Sequence, residues 1–304
     1  MSTLFVEHHA VQCSTAGELD RAAVSLGCVG EKLHVDLSGA PQTMLATLYA
    51  KALDADLPKP ILGDRLAREI VDRIDYDWSK TSITKTNSPS VTTRSAHFDN
   101  WARQFLAVHS EATVVHLGCG LDARAFRLDP GPGVEWYDID YPEVADLRRQ
   151  LFPSRDNYHV IAASVTDPTW FTEVRSERPT LMIAEGLTMY LTESDGVALL
   201  RRVVDTFPSG ELQFDAFNRL GIKSQWMNAV VRRSGSTLYW AINRPDDIVG
   251  MVPGVRLLAW ESPFDSATFR AIGGGLAWFY RGMARVMSAA PSLRYMAQYH
   301  RYAF

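Results

Sequence analysis

Cysteine is scarce in this chain: three residues in 304, at positions 13, 28 and 119. The number is odd and the spacing unpatterned, which argues against a disulfide frame and against a zinc site, and fits a reducing compartment. Long apolar runs are missing as well; none approaches the roughly 18 residues that a membrane span needs. The first residues, Met1–His9, lack a basic stretch followed by an apolar one, so no secretory signal is read and a cytoplasmic location is expected. A surplus of positive charge is also absent. The formal net charge is −4 and basic residues are scattered, which gives no reason to expect a nucleic-acid partner. The pairs Arg148-Arg149, Arg201-Arg202 and Arg232-Arg233 read as solvated helix faces. No Gly-Lys-Ser/Thr occurs, which excludes a P-loop.

What is present suffices for a large core: 46% of residues are hydrophobic and 22% charged. In the first forty residues only Thr15–Leu19 offers a capping arrangement. From Pro41 the apolar spacing becomes helical, with one stripe at Met44, Leu45, Leu48, Tyr49 and Leu53 and a second at Leu66, Ile70, Val71 and Ile74. The polar stretch 79–93 reads as a loop and a reasonable hinge, and a further helix is expected over 94–109. Residues 1–110 therefore read as a helical cap. Beyond it, strands are expected at 114–117, 135–139, 158–162, 181–184 and 212–214. Helical segments alternate with them near 122–128, 141–151, 168–175 and 192–207, the last N-capped by Thr192. Such alternation means βαβ units and a doubly wound parallel sheet. After Asp215 the pattern loosens into an insert over 216–255 with a helix near 222–231. A sixth strand at 255–260, a helix near 275–287 and a last strand at 298–304, antiparallel to the sixth, complete a domain over 111–304.

The chemistry gathers where the first expected strand ends in Gly118-Cys119-Gly120 and the second ends in Asp140. Glycines let a turn approach a ligand without a Cβ in the way, and a carboxylate at the next strand tip can accept hydrogen bonds from a ribose diol. A nucleoside cofactor follows. Ala123 replaces the third glycine of a dinucleotide fingerprint, and Asp122 sets an anion where a pyrophosphate would meet the helix N-terminus. An acidic loop suits a cationic ligand without phosphate, and S-adenosylmethionine fits that description. Cys119 reads as a small packing residue, and His116, alternating in a core strand, as a satisfied buried histidine. His97 reads as packing or surface.

Several blocks resemble the leucine carboxyl methyltransferase superfamily: residues 117–128, 136–144 with Arg148-Arg149, 163–168 and 184–191. Within it, residues 37–43 and 70–78 also look like the bacterial branch of polyketide O-methyltransferases. The resemblance implies a class I methyltransferase: a Rossmann-like, doubly wound sheet of seven strands, mostly parallel, with the last antiparallel. It also implies S-adenosylmethionine as cofactor and S-adenosylhomocysteine as product. On matching positions, Gly118, Cys119 and Gly120 would form the cofactor loop and Asp140 would hold the ribose. Ser164 and Val165 would lie at the adenine, where relatives often carry Asp-Leu, so contact at Ser164 would rest on backbone. Glu185 would meet the methionyl amino group and Arg94 would clamp its carboxylate.

No metal is expected, and no catalytic base is assigned. Tyr190, Asp215 and Asn218 follow the fourth and fifth strands, where ligands enter such sheets. Tyr190 and Asn218, with Trp226 and Tyr239 of the aromatic-rich 216–280 region, are the candidate acceptor contacts. The expected reaction is O-methylation, at a carboxylate or phenol, of a small aromatic or polycyclic natural product in secondary metabolism. Alternatives are carbon or nitrogen methylation of an aromatic such as an indole, a dinucleotide-binding oxidoreductase, and a cofactor-binding fold without catalysis. A homodimer is compatible with the sequence.

Overall fold

Two runs, Ala112–Leu117 (β1) and Val134–Asp140 (β2), are buried at every position, as expected of parallel strands covered on both faces. In the computed structural model, which describes residues 32–35, 40–227, 229–273 and 277–304, they are joined by five further strands. These are Tyr158–Ala162 (β3), Thr180–Ala184 (β4), Gly210–Phe217 (β5), Arg256–Glu261 (β6) and Ala297–Ala303 (β7). The seven form one sheet in the order β3-β2-β1-β4-β5-β7-β6. β1 to β5 run parallel, and β7 is antiparallel to both β5 and β6. Chain order reverses between β1 and β4, so a crevice opens beyond their carboxyl ends, where open α/β sheets take ligands. The expected capping at Thr15–Leu19 and cysteines 13 and 28 lie outside the described residues.

Helices cover both faces. Ala40–Ala55 (α1), Arg65–Arg73 (α2) and Pro89–Val108 (α3) precede the sheet. Arg124–Leu128 (α4), Pro142–Leu151 (α5) and Glu193–Thr206 (α6) connect its strands. Alternation along β1 shows the two layers: Val114 packs with Phe105 of α3 and Trp136, while Val115 packs with the α6 residues Leu199 and Val203. Burying a side chain such as Phe105 contributes about 1.5–3 kcal/mol. The N-cap expected at Thr192 is present, its hydroxyl accepting the Asp195 N–H at 3.2 Å.

Three expectations need correction. The stretch 79–93 is not a continuous loop: Trp78–Thr81 forms a 3₁₀ turn, and α3 opens at Pro89. Proline at the first helical position loses no hydrogen bond and has the right φ already, so the helix begins before the polar run ends and Arg94 lies in its second turn. Pro168–Glu173 is a 3₁₀ turn, not an α-helix, with Asp167 accepting the Thr169 N–H at its start. The helix expected near 222–231 is interrupted: Arg219–Lys223 (α7), capped by Asn218, then a 3₁₀ turn at Gln225–Met227, then Ala229–Ser234 (α8). The late helix spans Ala277–Ala289.

Candidate cofactor cleft

The crevice at the β1/β4 switch point is a cleft of about 680 Å³, counting its open mouth. Gly118 and Gly120 form its floor, Asp140, Tyr141 and Val144 one wall, Ala163 and Val165 the next, Gly186, Leu187 and Tyr190 another, and Thr43 and Met44 of α1 the cover. Both floor glycines have left-handed backbone, φ +60° and +53°. A Cβ on Gly118 would come within 3.0 Å of Leu187, and one on Gly120 within 3.0 Å of Met44. Only glycine adopts this turn under so close a cover.

Asp140 ends β2 with both oxygens engaged by backbone: Oδ2 accepts the Gly120 N–H at 2.7 Å and Oδ1 the Tyr141 N–H at 2.8 Å. Each oxygen keeps a lone pair for a ligand. Burial raises its pKa, and those two N–H groups oppose the rise. Val165 is buried at the cleft wall, and its carbonyl accepts the Trp170 indole N–H at 3.1 Å. Ser164 is half-buried and bonds its neighbour Thr166, Oγ to Oγ1 at 2.9 Å. Cys119 is buried, and desolvation pushes its thiol well above the usual range, in keeping with packing.

Glu185, at the tip of β4, is the hub of a buried ion network. Its Oε1 accepts from Arg94 Nε at 2.9 Å and from Ser95 Oγ at 2.8 Å, and its Oε2 from Arg124. Burial alone would raise the Glu185 pKa, but Arg124 and Arg94 hold it at about 2. Arg94 also donates to Asp215 Oδ2 at 3.0 Å and lies over Gly186, where a Cβ would meet its guanidinium at 3.3 Å. Behind this pair, Arg124 and Arg127 share Asp99, Arg127 reaches Asp64 at 2.6 Å, and Lys51 of α1 meets Asp122 at 2.9 Å.

Asp122 therefore plays a different part from the one read in the sequence. It is buried, ion-paired to Lys51, Arg124 and Arg127, and absent from the cleft lining. Its charge belongs to the protein's own cations and does not select a cationic ligand. Lys51, Asp64, Arg124 and Arg127 escaped the sequence reading, the arginines because i and i+3 look like a solvated face; Asp99, a candidate partner of Arg94, pairs with Arg124 and Arg127 instead. The signal present was the arginines' position directly behind a glycine turn.

The acceptor candidates divide. Tyr190 lines the cleft, bonded to Thr43 of the cover, and burial raises its pKa. Asn218 does not line it: its side chain accepts the Gly221 N–H at 2.9 Å and donates to the Ser292 carbonyl at 3.0 Å, so it is spent on capping α7. Trp226 and Tyr239 are 67% and 60% exposed and stand apart from the cleft lining. Trp240, from the same region, is a core residue against Gly196 of α6. Asp215 is no free base, since its Oδ1 accepts the Gly186 N–H at 2.6 Å and its Oδ2 holds Arg94. His116 is satisfied between Asp138 at 3.0 Å and Arg124 at 3.1 Å. His97 packs on Trp101 and Tyr299, and its buried Nε2 has no partner among the described residues.

This strand order, with a glycine turn after β1 and carboxylates after β2 and β4, defines the class I methyltransferase fold. A putative methyltransferase from Thermobifida fusca shares it, with a TM-score of 0.54 at 15% identity over 83% of this chain and 93% of that one. The leucine carboxyl methyltransferase family model matches residues 43–204. Tetracenomycin polyketide synthesis O-methyltransferase TcmP of Streptomyces glaucescens is 42% identical across 91% of this chain and 100% of that protein. The S-adenosyl-L-methionine-dependent methyltransferase dpfgK of Gibberella zeae is 35% identical across 76% of this chain and 84% of that one. The chain belongs to the leucine carboxyl methyltransferase family and is an S-adenosylmethionine-dependent methyltransferase. That membership sets aside the oxidoreductase alternative.

Proposed function

We propose that the protein O-methylates a small aromatic or polycyclic natural product, at a carboxylate or a phenol, in secondary metabolism. The likeness to an enzyme named for polyketide O-methylation, at 42% identity across 91% of the chain, carries the reading. The cleft lining and the side chains next to it fit the cofactor; Ser164, Arg94 and Glu185 lie outside the lining itself, Arg94 directly behind Gly186. Asp140 retains lone pairs for the ribose, Val144 and Val165 offer an apolar wall for adenine beside Ser164, and the glycine turn leaves room that a Cβ would fill. Arg94 is fixed through Nε and Nη1, and its remaining amino group is the donor for the methionyl carboxylate, with Glu185 beside it for the ammonium.

S-adenosylmethionine supplies an activated methyl group, so the chain need not provide a nucleophile. Its residues contribute by holding, orienting and excluding water. Thr43, Met44 and Tyr190 cover the floor of the cleft, and Asp215 keeps Gly186 and Arg94 in place. A carboxylate acceptor needs no base, which agrees with a site whose acids are bound to arginine or to backbone N–H. Residues 40–108 act in this reading as a cap over the domain that follows.

The test is calorimetric titration with S-adenosylhomocysteine of the wild type and Asp140→Ala, followed by methyl transfer from labelled cofactor to a panel of aromatic acids and phenols. One-to-one binding, weakened at least about 30-fold in the variant (roughly 2 kcal/mol), and labelled ester or ether products are expected. Label appearing on carbon or nitrogen would replace O-methylation with the alternative chemistry.

A further inference from the structure

We infer that Arg148 is a positioning residue that sets the glycine turn of the cofactor cleft from the helix behind it. The inference rests on the cofactor reading above, although Arg148 itself lies outside the cleft lining.

Arg148 occupies the last turn of α5 and is fully buried. It is not the solvated helix-face residue that its place in an Arg-Arg pair suggested. Its guanidinium addresses two different groups of atoms. One edge binds the Asp138 carboxylate and the Tyr158 hydroxyl, the latter at 2.7 Å. The other donates to two turn carbonyls, Gly120 O at 2.7 Å and Asp122 O at 3.0 Å. Its plane lies over the Phe152 ring, 4.1 Å from the centroid. The arginine is itself fixed, because Asp138 also accepts from His116 Nδ1 at 3.0 Å, Trp136 Nε1 at 2.9 Å and Tyr158 Oη at 2.7 Å.

Gly120 is consequently held at both of its peptide groups. Its N–H goes to Asp140 and its carbonyl to Arg148, which reach it from the end of β2 and from α5. Glycine has more backbone freedom to lose than any other residue, so a turn with two left-handed glycines needs such holding to be ready before the ligand arrives. Asp140 would contact the ribose; Arg148 keeps the turn against which Asp140 is aligned. Lysine can supply a charge to Asp138, but one ammonium cannot replace a fork that spans a carboxylate and two carbonyls. The two duties of Arg148 are therefore separable by substitution.

The experiment compares wild type, Arg148→Lys and Tyr158→Phe by S-adenosylhomocysteine titration, melting temperature and amide exchange of residues 119–122 in the ligand-free protein. Tyr158→Phe removes one acceptor of Arg148 and weakens the cluster around Asp138, but leaves the Arg148–Asp138 pair and both bonds from Arg148 to the turn carbonyls. Expected for Arg148→Lys is at least about tenfold weaker binding and about tenfold faster exchange in the turn. Tyr158→Phe should lower the melting temperature with both other readouts within about twofold of wild type. Wild-type exchange in Arg148→Lys, or affinity lost in step with melting temperature in both variants, would overturn the positioning role. If wild type does not bind the ligand, the cofactor reading fails, and the exchange data still decide the role of Arg148. Should the lysine variant not fold, Asp138→Asn with Arg148→Met removes the buried ion pair whole while leaving the carbonyls unheld, and the same measurements apply.

Discussion

Glu185 concentrates what a single side chain contributes here. It is almost wholly buried, yet it stays ionised because Arg94 and Arg124 surround it. Replacing it with glutamine keeps the shape and leaves two guanidinium groups short of a counter-charge. Removing one partner of a buried pair costs about 3–5 kcal/mol; denaturant unfolding of Glu185→Gln should show a loss of that size, and a change below about 1 kcal/mol would mean that the network relaxes around the gap. At this scale the sequence was legible where a residue touches the cleft. Gly118, Gly120 and Asp140 could be placed from strand-turn-strand order alone. It was misleading where charges are buried: Asp122 looked like a ligand selector because Lys51 reaches it from α1, which spacing cannot bring to it, and nothing in the sequence marks the nearby Arg124 and Arg127 as buried.

Among the elements, those set by period were readable, as was the Thr192 cap of α6, and the short helices bounded by caps alone were not. β1 and β4 declare themselves as apolar runs between turns, and β5 as an alternation of Leu212, Phe214 and Ala216 with Glu211, Gln213 and Asp215. α7, the following 3₁₀ turn and α8 do not, because Asn218 starts one short helix and Ser224 ends it within six residues. The connection between α1 and α2 is another capping device: Asp54 accepts the N–H groups of Ile61 at 2.9 Å, Leu62 at 2.9 Å and Gly63 at 3.0 Å. Asp54→Ala would strand three part-buried donors, so a loss of about 1–3 kcal/mol is expected. S-adenosylhomocysteine affinity should stay near wild type, since Asp54 lies outside the cleft lining. A variant that binds the ligand poorly at full stability would contradict that separation.

For the molecule as a whole, acid sensitivity follows from histidines buried in neutral form. Burial lowers His97 from 6.5 to about 4 and His300 from 6.5 to about 3. Between those values the unfolded chain binds protons that the native chain refuses, so stability falls as pH drops below 6.5. Glu185 extends the decline. Its pKa is lowered on folding from 4.5 to about 2, so the stability it contributes is present above 4.5 and is lost as pH falls toward 2. Urea midpoints measured from pH 7.5 down to 4.5 should decline, with a shallower slope in His97→Phe. A flat profile would mean that the native chain takes up as many protons as the unfolded one over this range. Fold class was legible at this scale because strands and helices alternate over a hundred residues; the closing of the sheet by β7 against β5 depended on a pairing that only tertiary structure reveals.

The ion network draws Lys51, Asp64, Arg94 and Asp99 from the segment before β1, and Arg124, Arg127, Glu185 and Asp215 from the sheet and its turns. A chimera that takes its first hundred residues from one relative and the remainder from another inherits half of a lock unless the partners travel together. The segment around α7 and α8 contributes none of these charges, so recombination aimed at new acceptors leaves the lock intact there and has to match apolar packing, such as that of Val230 on Ala46 and Ala50 of α1.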